Sequence, residues 1–219
     1  MSIEKIRESI NDNVRLIEIS SVVITAIGKF ILMDYLNQKL FFIIITITAW
    51  SIYIVYRHRN LPGILNYWGF RLDNFGLVAR LILPFGFVSI ILFMIIGYLR
   101  DTLNLSWHIL PIVILYPIWG TVQQFLTIGL FAANLQDMKK KTYSDSGVVF
   151  TTAFLFSAVH YPYYWLMLGT FILGALYTYI YLRHRNLYVL GLFHGVLGGI
   201  FFYTVVNRDP FVEVFGKYL

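Results

Sequence analysis

Along this chain apolar residues come in continuous runs, not in alternation with polar ones. The runs fall at roughly 20–36, 40–56, 76–98, 107–135, 147–160, 163–182 and 187–206. A membrane-crossing helix needs about 20 apolar residues, so most of these runs suffice and 147–160 is short. The run 107–135 exceeds one crossing and contains Pro111 and Pro117. It predicts either a bent helix or a short re-entrant piece followed by a span. The pattern as a whole predicts an all-α polytopic bundle of seven or eight transmembrane helices with no sheet, because a β-barrel would alternate apolar and polar positions. Ahead of these runs, Ile3, Ile6, Ile10, Val14 and Ile17 recur three and four apart among Glu4, Lys5, Arg7, Glu8, Asp12 and Arg15. That stripe predicts an amphipathic helix over 1–19 lying on the membrane surface, and it does not read as a signal peptide. The segment from Asn60 to Asn74, with Pro62 and Gly63, reads as an interfacial connector. With no linker rich in Gly, Ser or Pro and no repeat, residues 1–219 are expected to form a single integral membrane domain.

Composition reinforces the pattern. The chain is 58% hydrophobic and 13% charged, against about 25% charged in soluble domains, so the lipid bilayer is the expected partner. The net charge of +6 does not point to nucleic acid, because the basic residues sit in short loops between apolar runs. Their distribution predicts orientation. With the N-terminus in the cytoplasm and seven crossings, the cytoplasmic side holds Lys5, Arg7, Arg15, Arg57, Arg59, Arg71, Lys139, Lys140, Lys141, Arg183 and Arg185. The far side holds Lys39, Arg100, Arg208 and Lys217. This bias predicts a cytoplasmic N-terminus and an external C-terminus; the location expected is a bacterial inner membrane. The absence of cysteine excludes disulfides, thiolate metal sites and a catalytic thiol.

Polar groups at membrane depth are costly, and each calls for a reason. Lys29 and Asp34, five apart in the first run, read first as an ion pair near a short turn, and second as part of a proton or ion pathway. Gln123 and Gln124 are neighbours on one helix, pointing about 100° apart. One amide can therefore face a cavity while the other braces a neighbouring helix. His160 and His194 fall inside separate runs at depths matching the glutamines to within a turn or two. These four residues are the candidate catalytic set, gathered around one wet pocket. No cofactor is expected, and no metal, since two histidines fall short of the usual three protein ligands.

At these residues the chain resembles the CPBP membrane proteins, the CAAX-processing and bacteriocin-processing endopeptidases also called Abi proteins. The resemblance covers about 112–206. The family's first motif, Glu-Glu followed after a gap by Arg-Gly, aligns with Gln123, Gln124, Phe125, Leu126, Thr127, Ile128 and Gly129. Its second, Phe with His four residues on, aligns with Phe156 and His160, and its third, His with Asn or Asp four on, with His194 and Gly198. The stretch Gly169 to Tyr179, with Arg183 to Asn186 after it, resembles the family's small-residue helix. The resemblance implies a CAAX-protease-like bundle in which the glutamates and histidines activate a water against a peptide bond of a membrane-bound substrate.

The departures fall on the reactive groups. Both glutamates are glutamine, the arginine is Ile128 and the final Asn is Gly198. An amide cannot take a proton from water as a carboxylate can. After Asp101 the acids are Asp137, Asp145, Asp209 and Glu213, in loops or tail, so no replacement carboxylate is expected in the site. Three functions follow: an endopeptidase acting on membrane-bound peptides with histidine as base, a pseudoprotease that binds hydrophobic or lipidated peptides uncut, and a small transporter subunit.

Overall fold

The computed structural model describes residues 3–140 and 143–218; Lys141, counted above among the cytoplasmic cations, lies outside them. Among the described residues the chain is helical without strands. A short α1 (Ile3–Ser9) leads into α2 (Asp12–Tyr35), α3 (Lys39–Asn60), the short α4 (Ile64–Trp68), α5 (Phe75–Leu99) and α6 (Ile109–Gln136). The remainder is α7 (Asp145–Ala158), α8 (Tyr164–His184), α9 (Leu187–Val206) and a terminal α10 (Pro210–Phe215). Six of these, α2, α3, α5, α6, α8 and α9, are long and apolar enough to cross a membrane, and α7 is a shorter apolar helix. The protein is thus an all-α polytopic bundle. Its outer faces present Ile24, Ile44, Ile52, Phe87, Ile114 and Phe150 uncovered, the arrangement expected where hydrocarbon is the solvent.

Two boundaries differ from expectation, and one choice left open is decided. The amphipathic helix expected over 1–19 is broken after Ser9, because the Asn11 side chain accepts from Val14 N (3.0 Å) and starts a new helix there. Part of its charged face turns inward: Asp12, Arg15 and Glu18 are buried, while Glu4, Arg7 and Glu8 are exposed. The run 107–135 is one continuous helix despite Pro111 and Pro117, with no re-entrant piece. The Thr121 hydroxyl donates to the Pro117 carbonyl (2.8 Å), and the helix widens into a π-helical stretch over Phe125–Ala132, straight after the glutamine pair. Finally, His160 is not inside a helix, since α7 ends at Ala158 and His160 occupies the turn leading to α8.

Helix α9 is the most buried span and α2 the least. Glycines set the close crossing of α9 with α6. A Cβ on Gly195 would stand 2.3 Å from Pro117 N and Cα, and one on Gly191 2.1 Å from Thr121 Oγ1. Such backbone-to-backbone approach is how membrane helices gain packing energy where lipid offers no hydrophobic drive. Gly174 brings α8 against Ala153 of α7 more loosely, at 3.2 Å. At the basic end Gly69 adopts φ +93°, with its carbonyl accepting from Leu187 N (2.8 Å) and the Arg185 backbone 2.8 Å from where a Cβ would lie. Only glycine satisfies both demands.

A buried polar network closes the basic end. Arg15 donates to Tyr67 (2.7 Å), to Asn134 (3.1 Å) and to the Arg7 carbonyl (2.7 Å). Asn134 donates to Glu18 (2.6 Å), which also meets Arg57 (3.1 Å) and Tyr53. Asp137, its carboxylate wholly enclosed, is shared by Arg7 (2.8 Å), Arg185 (2.7 Å) and Tyr67 (2.8 Å). Asp12 accepts from Lys139 N and Lys140 N (2.9 Å each). The segment from Arg7 to Glu18 is thereby locked to the ends of α6 and α8.

Candidate functional site

The close crossing of α6 and α9 puts the first glutamine against the second histidine. Gln123 Oε1 accepts from His194 Nε2 at 2.8 Å. With its proton on Nε2, His194 has its lone pair on Nδ1, which is buried with no hydrogen-bond partner. Gly120, one turn before Gln124, makes room for this imidazole, since a Cβ there would stand 2.7 Å from His194 Cδ2.

His160 comes from the α7–α8 turn. Its Nδ1–H donates to the Phe156 carbonyl (2.7 Å), which fixes the tautomer and leaves Nε2 as a free base. The Phe156 ring stands between the two histidines, its centroid 5.2 Å from one imidazole and 5.4 Å from the other. Ser157 anchors the turn by donating to the Met167 carbonyl (2.8 Å).

Two cavities adjoin these groups. The larger, about 340 Å³, has Gln123 and His160 in its wall, apolar sides from Leu40, Ile43, Ile47, Leu115 and Ile118, and a charged mouth. The smaller, about 50 Å³, lies beside His160, His194, Thr170 and Gly198. Tyr116 lines both. Its ring stacks on His194 (6.5 Å, 15°) and would be 3.0 Å from a Cβ on Gly198. An aromatic ring therefore packs where the resemblance calls for an Asn side chain.

Of the four residues named from sequence, Gln123, His160 and His194 line these cavities or bond across them, while Gln124 does not. It is completely buried, lines neither cavity, and neither of its amide atoms has a hydrogen-bond partner. Adjacent positions on a helix diverge by about 100°, and the π-helical stretch begins one residue later.

The mouth overturns the expectation that no carboxylate reaches the site. Asp34 and Glu213 both line the larger cavity. Asp34 pairs with Lys29 at 2.6 Å, which is the first reading given to that pair. Glu213 is shared by Lys39 (2.9 Å) and Arg208 (2.5 Å at Nη2). The Arg208 guanidinium lies 3.9 Å from the Tyr163 ring centroid. Burial works against the Glu213 charge, but hydrogen bonds from Arg208 and Lys39 outweigh it and hold its pKa below the ordinary value. Asp209 caps α10 by accepting from Phe211 N (3.0 Å) and Val212 N (3.2 Å), and it ties that helix to His108 (2.6 Å) and Tyr203 (2.7 Å). Sequence reasoning missed Glu213 because it sits 174 positions from Lys39; no local pattern signals that closure. The α6–α9 crossing did have a signal, glycines four apart at 191, 195 and 199.

Among the described residues no three His, Asp or Glu side chains gather as a metal site would require. The site as built is uncharged at its inner end: an amide, two neutral-tautomer imidazoles and one free imidazole lone pair facing a cavity.

Residues 102–200 match the family model described as Type II CAAX prenyl endopeptidase Rce1-like. The match supports a likeness, over that part of the chain, to the CPBP-type intramembrane peptidases. No curated protein and no solved structure matches it.

Proposed function

We propose that this CAAX-protease-like chain binds a hydrophobic or lipidated membrane-bound peptide in the larger cavity and does not cut it efficiently. The observation that carries this reading is the Gln123–His194 contact at 2.8 Å. Where the family motif has a carboxylate able to accept a proton, this chain has an amide, and its oxygen is already engaged by an imidazole. Replacing Glu by Gln keeps shape and hydrogen-bonding capacity but removes the charge. The amide N–H groups and the His160 lone pair remain able to hold a peptide group.

The test is turnover of a C-terminal peptide library by purified protein. The wild type is expected to bind without product release, and Gln123→Leu to lose binding. Cleavage by the wild type that disappears in His160→Ala would overturn the proposal. Reversion of Gln123 and Gln124 to glutamate is expected to restore measurable cleavage. Adding Gly198→Asn should help only alongside Tyr116→Ala, since the ring at 3.0 Å leaves an Asn side chain no room.

A second reading, slow hydrolysis with His160 as base, is favoured by one specific contact. The Phe156 carbonyl holds the Nδ1 proton and leaves Nε2 basic. Asp34 on the same cavity would be its recruited carboxylate, so Asp34→Asn should abolish such turnover and leave peptide affinity intact.

For orientation we infer a cytoplasmic N-terminus in a bacterial inner membrane, supported by the cations clustered at the end holding Arg57, Arg71 and Arg183. The cavity mouth then faces away from the cytoplasm. The chain has no cysteine, so single cysteines at Gln38 and Asn60 tested with an impermeant maleimide on intact cells decide it. Labelling at Gln38 alone is expected, and labelling at Asn60 alone reverses the orientation.

A further inference from the structure

The larger cavity joins three features that the peptide reading does not use together. Its mouth carries three cations, Lys29, Lys39 and Arg208, against two carboxylates, Asp34 and Glu213. Lys29 and Asp34 satisfy each other at 2.6 Å, which leaves Lys39 and Arg208 sharing the single carboxylate of Glu213. One positive charge is in excess at a mouth whose walls are low in dielectric, where an anion is attracted more strongly than in water. Arg208 is also held in place by the Tyr163 ring at 3.9 Å, so its guanidinium is already oriented.

Inward of the mouth the walls change character. Between α3 and α6 they are aliphatic, and Leu115 and Ile118 on the same flank remain uncovered by protein. That flank joins the cavity to the hydrocarbon around the bundle. Along this aliphatic wall, away from Gln123 and His160, backbone N–H and C=O groups would find no partners, a cost of several kcal/mol for each group. A hydrocarbon chain has no such groups to satisfy. At about 340 Å³ the volume lies at the low end for ligand pockets, suited to one chain and not two.

We propose that the outer part of this cavity is a binding site for a single-chain anionic lipid. Its carboxylate or phosphate sits between Lys39 and Arg208, and its acyl chain lies along Ile43, Ile47 and Ile118. Glu213 occupies the anion position in the empty state and competes with the incoming headgroup. This proposal shares with the preceding one only the premise that the cavity admits a ligand from the membrane.

Trp119 lines the same cavity and reports on it. Purified protein in a non-ionic detergent is titrated with 9,10-dibromostearate, with its neutral methyl ester, and with brominated lysophosphatidylglycerol, and tryptophan quenching is followed. Both anionic probes are expected to quench at concentrations at least tenfold below the ester, and Trp119→Phe to remove most of that quenching. Quenching by dibromostearate alone assigns the site to carboxylates, and by lysophosphatidylglycerol alone to phosphates; either outcome supports it. The double variant Lys39→Gln, Arg208→Gln is expected to erase the gap between acid and ester, and Glu213→Gln to widen it. Ile43→Trp fills the cavity without touching the ions and should weaken all three probes. Equal curves for acid and ester in the wild type would overturn the proposal, as would anionic quenching that survives in both Trp119→Phe and Ile43→Trp. A protein that binds dibromostearate this way but retains no peptide keeps this proposal and loses the preceding one; the reverse result does the opposite.

Discussion

The two ends of the bundle solve the problem of buried polarity in opposite ways. At the basic end Arg7 and Arg185 bond Asp137 directly and Arg57 bonds Glu18, while Arg15 reaches both carboxylates through Tyr67 and Asn134. None of these residues lines either cavity described above. At the candidate site the inner groups are neutral, incompletely bonded, and set beside about 340 Å³ of space. Buried charge demands complete pairing, because an unpartnered ion in low dielectric costs more than a fold can bear. Neutral amides and imidazoles can be left part-satisfied at about 1–3 kcal/mol each, and so can stay available to a ligand. Charge here builds structure, while neutral polarity lines the cavity.

The largest test of that contrast is Asp137→Ala. It strands the buried Arg185 and leaves Tyr67 without its acceptor, while half-exposed Arg7 rehydrates, and should cost about 3–5 kcal/mol, seen as lost folded yield and a lowered unfolding midpoint in detergent. An equivalent loss from His194→Leu, in the neutral site, would erase the distinction. Next comes the crossing that creates the site. Gly195→Ala drives a methyl into the Pro117 backbone and should cost at least the about 1–3 kcal/mol of ordinary overpacking. Gly76→Ala, where nothing lies within 4 Å, should be neutral or slightly stabilising in the same unfolding assay.

Smallest is the acid response of the mouth. The folded pKa of Glu213 lies below its ordinary value of 4.5, so its contribution is complete above that value and fades as pH falls through the folded one. Asp209 is also lowered: burial raises its pKa, but bonds from His108 and Tyr203 outweigh that. Acidification should therefore loosen α10 first, read as faster proteolytic trimming of the C-terminus at pH 4 than at pH 7. A Glu213→Gln chain should lose most of that pH dependence.

Much of the site was legible before any coordinates. Motif spacing singled out His160 and His194, and helix geometry required Gln123 and Gln124 to diverge. Which glutamine faces the cavity was not legible, since that depends on the rotation of α6, fixed by Gly191 and Gly195 pressing on Thr121 and Pro117. Nor was the fate of Arg15 and Glu18. Their spacing with the N-terminal isoleucines fits an interfacial helix as well as a buried one, and only Tyr67, Asn134 and Arg57 arriving from other helices make burial tolerable.

What the amino-acid order determined on its own was everything that depends on neighbours along the chain: continuous apolar runs, hence spans; loop cations, hence a charge asymmetry; and the chemistry each motif position can or cannot perform. What only the tertiary structure decided was everything that depends on pairs far apart in number. Glu213 closes on Lys39, Tyr116 packs where Gly198 leaves room, and Asp137 gathers arginines from both halves of the chain. Local periodicity fixes which face of a helix is apolar, but the partner of a buried polar group is set by where other helices cross it, and that geometry is not written in any one segment.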